Sequence, residues 1–556
     1  MNDKTRKILR WVGAYAIVTV IAAVAYYIAL PPINLQSESF WIFLAFLLFL
    51  YTLPLSGLRV NKEVLRAGEF KLSRPKKDKK ARLMYLAILP LAVLLLGNIF
   101  SSTFFFAKSY ADVIDVKEAV FREDMPETEN ITNIALMDSN TAAIVGNRTL
   151  GSLSDVVSQF EIAYEYTQIN YRGTPQKVAN LEYADFFKWL GNRASGIPGF
   201  VMVDPVHNTA EYHALDETIR YAESAFFGED LMRRLRFDYP TKIFGTPRFE
   251  IDEEGNPVYV VACMKPKVSL FGALDVSEVI LFDPTDGTSE IYAVEDTPSW
   301  IDVVYDGYLA TEKYNWKGTL SGGFFNSIIG NKDCKQTTDD FGYIVIGDDV
   351  WYFTGVTSVN SDRSNIGFII SNARTGEYKF YPVIGAEEHS AMTAAQGEMQ
   401  HMNYVASFPA LINVRGEATY IMVLKDQGGL VKLYAMVNVE QYNIVATGTT
   451  QEEAKEAYLA RLYKEGILSP EDAPDVPAEN TVQKTVTLDA ITPVTSAGET
   501  VLYLRGKDDT GATLLFKANV AENEALLFLT VGDRVTFTAT ATENDAIFHI
   551  ITAEKN

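Results

Sequence analysis

The sequence predicts a membrane anchor of three transmembrane helices, a large extracytoplasmic α+β region and a small C-terminal β-barrel. Three observations lead to this fold class. Three long apolar segments lie within the first 107 residues of the 556-residue chain. Farther on, many short segments alternate apolar and polar residues, which is the period of half-buried strands. From residue 482 onward such strands follow one another without a helical segment between them, as in a small barrel.

The apolar segments Trp11–Leu30, Phe40–Leu58 and Leu83–Ala107 are each near the ~20 residues that cross a bilayer, and none contains a charged side chain. Residues 1–10 carry a net charge of +3, and the loop 58–82 carries ten Lys and Arg against three acidic residues. Positive loops stay in the cytoplasm. The N-terminus and this loop are therefore predicted inside, and everything after the third helix outside. A cleaved signal peptide is the alternative interpretation of the first segment.

The three helices are expected to act as an anchor. Transporters usually place carboxylates, His or Arg within their spans, and these segments contain none. The lipid bilayer is thus the first predicted partner, and the basic cluster Lys71–Arg82 could also contact anionic headgroups. A role as an accessory subunit of a transport or secretion complex stays open, with Asn98 as the residue that would hydrogen-bond across helices.

Shifts in composition and pattern divide the chain into several parts, as expected at this length. They are the anchor (1–107), a membrane-proximal α+β segment (108–195), a first module (196–298), a connecting elaboration (299–354), a second module with a helix (355–466), a Pro- and acid-rich linker (467–481) and the barrel (482–556).

The two modules carry an internal repeat. The segments "GFVMVDPVHNTAEY" (Gly199–Tyr212) and "GFIISNARTGEY" (Gly367–Tyr378) each predict a strand, a polar turn and a returning strand. Each is followed by a predicted helix and then by hairpins with matching turns. The helices are predicted over Leu215–Phe237 and Glu387–Met402, and the first hairpin turns at Gly255 and Gly416. Each module is therefore predicted to be a helix packed on an antiparallel sheet.

A helix on a small sheet of hairpins, with turns such as Asp283–Gly287, resembles the PepSY type of module. The resemblance implies inhibitory or partner-regulating roles in secreted and membrane-anchored bacterial proteins. The strands of 482–556 are similar to an OB-fold. The whole chain resembles a family of three-span membrane proteins of Gram-positive bacteria, which implies a location and a fold but no chemistry. The residues that carry this last resemblance are "YTQINYRG", "TGVTSVNSD", "SNIGFIISNARTGEY" and "LKDQGGLVKLYAMVNVEQY".

No catalytic site and no cofactor are predicted. The weak catalytic candidates are Glu387, Glu388, His389 and Asp349. A Ser–His–carboxylate triad needs residues that the fold brings together and an oxyanion hole, and the sequence shows neither. Glu387 and Glu388 equally suit the first turn of a helix, where carboxylates favour the positive end of the dipole.

No metal site is predicted either. The weak metal candidates are Asp339, Asp340, Asp348 and Asp349, because clustered carboxylates suit calcium. The EF-hand spacing is absent, however, and Asp348 and Asp349 suit a hairpin turn. Cys263 and Cys334 are the only cysteines, and the sequence leaves open whether they form a disulfide.

The leading functional hypothesis is a membrane-anchored binding or scaffold protein of the cell envelope that engages a protein partner or a wall polymer. Nucleic acid is not an expected partner, because the barrel carries six Lys and Arg against ten acidic residues and lies outside the cell. An envelope hydrolase with paired carboxylates and the accessory subunit are the alternatives.

Overall fold

The computed structural model describes residues 3–56, 81–128, 131, 134–338, 340–468, 481–496, 499–519, 524–540 and 547–555. The chain divides into two units. The first contains Met1–Glu398 and Tyr404–Tyr458, and the second contains Met399–Asn403 and Leu459–Asn556. The first unit includes the N-terminal apolar helices and four β-sheets, and the second unit includes a closed β-barrel.

The N-terminal helices are α1 (Asp3–Ala29), α2 (Glu38–Thr52), α3 (Ile88–Phe100) and α4 (Thr103–Ala111), with 3-10 turns at Leu53–Ser56 and Ala81–Ala87. Two helical stretches, Lys4–Ala29 and Leu83–Phe100, are long and apolar enough to cross a bilayer. The rest of the protein buries only 11% and 6% of their most apolar windows. Most of their apolar surface is therefore not covered by the protein itself, which indicates that these helices associate with a membrane.

The predicted middle span, Phe40–Leu58, covers most of the 15-residue helix α2 and the four-residue 3-10 turn that follows it. Alone, this helix is shorter than the ~20 residues of a typical crossing. Of the predicted basic loop 58–82, only Ala81 and Arg82 belong to the described residues. The expected headgroup contact of Lys71–Arg82 therefore lies almost wholly outside them.

Both long apolar helices meet the folded body of the first unit at their C-terminal ends. Just after α1, the Leu30 carbonyl accepts a hydrogen bond from Arg236 Nε at 2.9 Å. Just after α3, Ser101 Oγ accepts hydrogen bonds from the N–H groups of Leu270 at 3.2 Å and Phe271 at 3.1 Å. The body therefore lies at the end of α1 that is opposite to its N-terminus.

Gly97, in the last turn of α3, leaves no room for a side chain. A Cβ built there would overlap the Phe271 ring and lie 3.2 Å from Leu270 Cδ2. We expect Gly97→Leu to destabilise the first unit by about 1–3 kcal/mol through overpacking, seen as a lower midpoint of thermal unfolding in detergent micelles. Gly13→Leu in α1, where nothing lies within 4 Å, is the control. If Gly97→Leu and Gly13→Leu had the same midpoint of thermal unfolding, the close packing of Phe271 and Leu270 on Gly97 would be contradicted.

The body of the first unit consists mainly of antiparallel strands. Those of its first half are β1 (Val116–Glu118), β2 (Phe160–Ile162), β3 (Thr167–Tyr171), β4 (Thr174–Tyr183), β5 (Ile197–Asp204), β6 (Thr209–Ile219), β7 (Ile243–Phe244), β8 (Arg248–Ile251), β9 (Pro257–Val268), β10 (Gly272–Phe282) and β11 (Ser289–Ala293). Those of its second half are β12 (Lys335–Thr337), β13 (Gly342–Ile346), β14 (Asp349–Ser358), β15 (Ser361–Asn372), β16 (Tyr378–Tyr381), β17 (Gly385–Ala386), β18 (Val405–Ala406), β19 (Ala410–Val414), β20 (Glu417–Lys425), β21 (Val431–Asn438) and β22 (Val445–Gly448). The helices between and after them are α5 (Phe121–Asp124), α6 (Ser139–Gly151), α7 (Ser154–Val157), α8 (Phe186–Asn192), α9 (Leu231–Asp238), α10 (Gly307–Leu320), α11 (Glu388–Glu398) and α12 (Gln451–Lys464).

These strands form two halves with the same order of pairing. In the first half, β2 and β3 both pair with β4, which is followed by β5 and β6. In the second, β12 and β13 both pair with β14, which is followed by β15 and β16. Two further strands extend this second sheet: β17 pairs with β15, and β1 pairs in parallel with β16. Likewise, β7 and β8 pair with β9 and continue to β10 and β11, just as β18 and β19 pair with β20 and continue to β21 and β22. The shared topology begins one hairpin earlier than the predicted modules 196–298 and 355–466.

Helices cover the sheets and complete the cores. In the second half, Ala310 and Tyr314 of α10 share a buried cluster with Val350, Val356 and Ile369 from the β14–β15 hairpin. Another buried cluster in the first half joins both of its sheets. Alternating apolar residues on the strands therefore meet apolar helix faces, as expected for an α+β body.

The helix predicted over Leu215–Phe237 is wrong for most of its length. Strand β6 continues to Ile219, and helix α9 begins only at Leu231. Pairing with β5 holds the first part of this segment extended, because tertiary pairing overrides weak helix propensity. The helix starts where Asp230 accepts a hydrogen bond from the Arg233 N–H at 2.7 Å.

The second unit contains a closed barrel that follows the end of α12. Its strands are β23 (Thr481–Ser496), β24 (Glu499–Lys507), β25 (Thr513–Asn519), β26 (Arg534–Thr540) and β27 (Phe548–Lys555). They close in the order β23–β24–β25–β27–β26, with one parallel pair between β25 and β27. Phe516 and Phe537, both fully buried, pack in its core with 4.7 Å between ring centroids and a 44° angle between ring planes. Most of the predicted linker 467–481 lies outside the described residues.

The two cysteines do not form a disulfide. Cys263 lies on β9, and Cys334 lies just before β12. Both are buried and free. Cys334 Sγ donates a hydrogen bond to the Thr319 carbonyl at 3.4 Å, so each cysteine behaves as a small core residue.

Candidate functional site

A cleft in the first unit lies among strands from both halves. It consists of two adjoining cavities of about 310 Å³ and 250 Å³. Ala135, Gln168 and Tyr343 line both cavities. The walls come from β3 and β4 of the first half and from β13 and β19 of the second half. The site exists only because the two halves pack together.

Lys177 on β4 is the unusual residue of this cleft. Its side chain lines the smaller cavity, although the residue is only 3% exposed. Its Nζ lies 5.2 Å from the centroid of the Tyr343 ring. Among the described residues it forms no hydrogen bond and no ion pair. Burial lowers the pKa of Lys177 to about 8, although the negative charge of Asp138 acts in the opposite direction.

The neighbours of Lys177 are already engaged. Gln168, its cross-strand partner on β3, donates from Nε2 to the Gln176 carbonyl at 3.0 Å. Asp138 accepts a hydrogen bond from the Thr141 N–H at 2.8 Å, which caps α6, and another from Lys425 Nζ. Burial acts to raise the pKa of Asp138, but these hydrogen bonds outweigh it and lower the pKa. The carboxylate nearest to Lys177 is therefore paired elsewhere.

The larger cavity is bounded by strand edges. Four consecutive residues of β13, Tyr343–Ile346, line it, and β13 pairs only with β14 in the described part of the chain. Leu411–Asn413 of β19 also line it. The Asn413 carbonyl accepts the Thr128 N–H at 2.9 Å. The edge of β19 is thus engaged by Thr128 at Asn413, whereas the second edge of β13 is open among the described residues and presents backbone donors and acceptors that another chain can bind.

Glu387 and His389 lie at the start of α11 and line neither cavity of the cleft. Glu387 accepts hydrogen bonds from the His389 N–H at 2.8 Å and from the Ser390 N–H at 2.7 Å. Ser390 Oγ also donates to Glu387 at 2.6 Å. The serine hydroxyl is therefore directed to the carboxylate, and the His389 ring packs edge-on near Phe408 with 6.5 Å between centroids. Glu387 caps the helix in this arrangement.

Glu388 is fully buried and lines neither cavity of the cleft. One carboxylate oxygen accepts the Gly355 N–H at 2.5 Å, and the other has no partner among the described residues. Burial raises the pKa of Glu388 to about 7. This carboxyl group is held against the backbone of β14, beside a glycine whose Cβ would lie 2.9 Å from it.

The aspartates considered for metal binding have other partners. Asp348 accepts a hydrogen bond from Asn170 Nδ2 at 2.8 Å. Asp349 is ion-paired with Arg374, whose Nε lies 2.9 Å from it. Asp340 lines the smaller cavity. Asp339 lies outside the described residues, and no group of three or more His, Cys, Asp or Glu among the described ones could hold a metal ion.

A buried pair of acids links the two halves and was not predicted. Glu250 accepts hydrogen bonds from the N–H groups of Asp302 at 3.0 Å and Val303 at 2.9 Å. Asp302 in turn accepts the Asn170 N–H at 2.7 Å. Burial raises the pKa of both carboxyl groups, that of Asp302 to about 7. The available signal was Glu250 itself, a carboxylate between the apolar residues Phe249 and Ile251 of the short strand β8.

Sequence reasoning also missed Lys177. The signal available was its position in "PQKVANL", on the same strand face as the buried residues Ala179 and Leu181. A lysine on the apolar face of a strand indicates either a buried ion pair or a ligand, and only the packing of the second half distinguishes these cases.

Comparison with known proteins adds no assignment to this site. No protein-family model matches the chain, and no curated protein matches it. Any functional conclusion therefore depends on the geometry of the cleft.

Proposed function

We propose that this protein is a membrane-anchored extracytoplasmic binding protein whose cleft receives an extended segment of a partner polypeptide. The observation that carries the proposal is the buried amine of Lys177, which lines a cavity and has no acceptor among the residues that the structure describes. An acceptor on the partner, a carboxylate or a backbone carbonyl, would satisfy that amine. Burying a charged group without a partner is costly, so a bound acceptor would recover stability.

The strand edges favour a polypeptide over other ligands. Addition of an extended strand uses main-chain hydrogen bonds for affinity and side-chain pockets for specificity. The cavity lined by β13 and β19 offers both, because the edge of β13 and the apolar residues Ile344, Ile346 and Leu411 line it. A wall polymer would have no comparable need for open strand edges.

The orientation in the membrane belongs to the same proposal. The positive charge of residues 1–10 and of the loop 58–82 supports a cytoplasmic N-terminus. Together, α2 and the 3-10 turn that follows it, 19 residues in all, would form the middle of three crossings. The body lies at the C-terminal ends of α1 and α3, and it would then lie outside the cytoplasm, in the cell envelope.

The proposal extends to the fold families. The equal pairing order of the two halves supports two modules of one type. For these modules we propose the PepSY-like fold, and for the chain we propose membership of a three-span family of Gram-positive bacteria. A five-stranded closed barrel supports an OB-like C-terminal unit. Repeated modules of this kind suit partner binding and regulation.

The alternatives have less support. Glu387, Glu388 and Asp349 each accept hydrogen bonds from groups of their own fold, which does not favour a hydrolase with paired carboxylates. Asn98 is exposed on α3 and donates to the Leu94 carbonyl of its own helix at 3.2 Å. For Asn98 to bind another subunit, its side-chain amide would have to give up the hydrogen bond to Leu94 and form one across helices.

Photo-crosslinking in intact cells tests the proposal. A benzophenone amino acid replaces Ile344 in the tagged full-length chain, and captured material is identified by mass spectrometry. We expect one dominant polypeptide adduct, and we expect Lys177→Met to reduce its yield about tenfold, the loss of roughly one charge-assisted hydrogen bond. Lys177→Met removes a buried amine that donates no hydrogen bond to any described residue. We therefore expect the variant to fold, with a midpoint of thermal unfolding no lower than that of the wild type.

Lys265→Met on β9 is the matched control, since Lys265 is exposed and lines neither cavity. It should leave the adduct yield unchanged. Capture of glycan fragments alone would favour the wall polymer instead. An adduct yield that is the same in the wild type and in the Lys177→Met variant would remove Lys177 from the binding site.

A further inference from the structure

Helix α10 packs along α4, and its C-terminal end lies near the C-terminal end of α3, the third apolar helix. Tyr110 near the end of α4 packs on Trp316 of α10, with 5.1 Å between ring centroids. Phe104 at the start of α4 packs on Phe324, just beyond α10, also at 5.1 Å. The two helices are therefore antiparallel. The chain beyond α10 turns at the level of Phe104, close to the residue Phe100 that ends the apolar stretch.

The segment Phe324–Gly330 at this turn is apolar and exposed. Phe325 is 68% exposed, Ile328 is 59% exposed and Ile329 is 79% exposed. A single π-helical turn, Asn326–Gly330, forms most of the segment; it contains Ile328 and Ile329, and Phe325 directly precedes it. Three large exposed apolar residues so close together mark an interaction surface.

The tip of the β9–β10 hairpin shows how far the body reaches along the apolar helix. Leu270 and Phe271 lie against Gly97, which is inside the stretch Leu83–Phe100. Residues of the body thus reach a point one turn before the end of that stretch. The same holds at the first helix, where Phe237, 54% exposed, packs on Tyr26 and Tyr27.

We propose that the segment Phe324–Gly330 inserts into the leaflet on the body's side of the bilayer, with Phe325, Ile328 and Ile329 among lipid acyl chains. Lipid is the occupant that the structure favours, because the segment is continuous with the apolar surface of α3 through Phe104. Aromatic and aliphatic side chains at this depth act as interfacial anchors. The body then rests on the bilayer at fixed contact points. The inference requires that the two long apolar helices span the membrane, and it does not depend on the cleft.

Depth-dependent fluorescence quenching tests the insertion. The full-length protein with Ile329→Cys, labelled with nitrobenzoxadiazole, is placed in phosphatidylcholine–phosphatidylglycerol liposomes that contain doxyl-labelled lipid. Tyr308→Cys is the control, because Tyr308 is 76% exposed and lies at the opposite end of α10, roughly 18 Å along the helix axis. The wild-type protein is treated with the same label to measure the background labelling of its own two cysteines, both of which are buried.

We expect the probe at position 329 to emit at shorter wavelength and to be quenched by doxyl lipid about threefold more strongly than the probe at position 308. Phe325→Cys provides a second position in the same segment and should behave alike. Quenching by aqueous iodide without quenching by lipid would show a water-exposed segment and overturn the proposal. Resistance to both quenchers would show that protein covers the segment, and would overturn it equally.

Discussion

Replacing Lys313 with methionine is expected to lower the free energy of unfolding by about 3–5 kcal/mol, because it leaves a buried carboxylate without its partner. Lys313 Nζ lies 2.6 Å from Asp275 Oδ1, and the two side chains are only 4% and 9% exposed. The pair joins α10 to β10, and Nζ also lies 4.7 Å from the centroid of the Tyr305 ring. Burial lowers the pKa of Lys313, although the charge of Asp275 and its hydrogen bond act to raise it. Denaturant unfolding of the full-length protein in detergent micelles, followed by tryptophan fluorescence, measures the change.

The double variant Lys313→Met with Asp275→Leu is expected to recover most of this loss, since it removes both buried charges. Lys317→Met on the same helix is the control, and it should change the free energy of unfolding by less than about 0.5 kcal/mol. A loss below about 1 kcal/mol for Lys313→Met, or a double variant no more stable than the single one, would show that the pair is not effectively buried.

Replacing Glu388 with glutamine is expected to stabilise the first unit at neutral pH. The pKa of Glu388 is raised from 4.5 to about 7 in the folded protein because the carboxyl group is fully buried. Between these two values the folded state keeps a proton that the unfolded state releases, so the wild-type protein loses stability as the pH rises through this window. Glutamine is neutral throughout and keeps an oxygen that can accept the Gly355 N–H.

The difference in unfolding free energy between Glu388→Gln and the wild type should therefore be near zero below pH 4.5. It should grow to about 3 kcal/mol by pH 7 and stay constant above it. Denaturant titrations of both proteins from pH 4 to pH 8 give this difference directly, because contributions from other groups cancel. A difference that does not change over the range would place the pKa of Glu388 near its ordinary value.

Local features of the chain could be predicted from the sequence where the signal is itself local. The hairpin turns at Gly255 and Gly416 are present, and both glycines have a positive φ, 93° and 83°. The start of α11 at Glu388 agrees with the predicted helix. Turn residues and helix caps act over a few positions, so they need no knowledge of distant segments. The helix predicted over Leu215–Phe237 failed because pairing with β5 decides the conformation of its first part.

The candidate site could not be predicted in the same way. Gln168 and Lys177 are cross-strand neighbours, and that register follows from one hairpin. Tyr343, which closes over the lysine, lies more than 160 residues farther along the chain. Whether a lysine is solvated, paired or left without an acceptor depends on what packs against it, and no pattern in β4 states that.

The amino-acid sequence alone is enough to predict the apolar N-terminal helices, the antiparallel strands with their turns, and a separate C-terminal barrel. These features follow from hydrophobic periodicity and backbone preference, which short segments express on their own. Which charged residues are buried, and beside which groups, depends on tertiary packing: Lys177 has no acceptor in the described part of the chain, Lys313 pairs with Asp275, and Glu250 lies beside Asp302. This is because the free energy of a charge depends on its surroundings, and those surroundings are assembled from segments far apart in the chain.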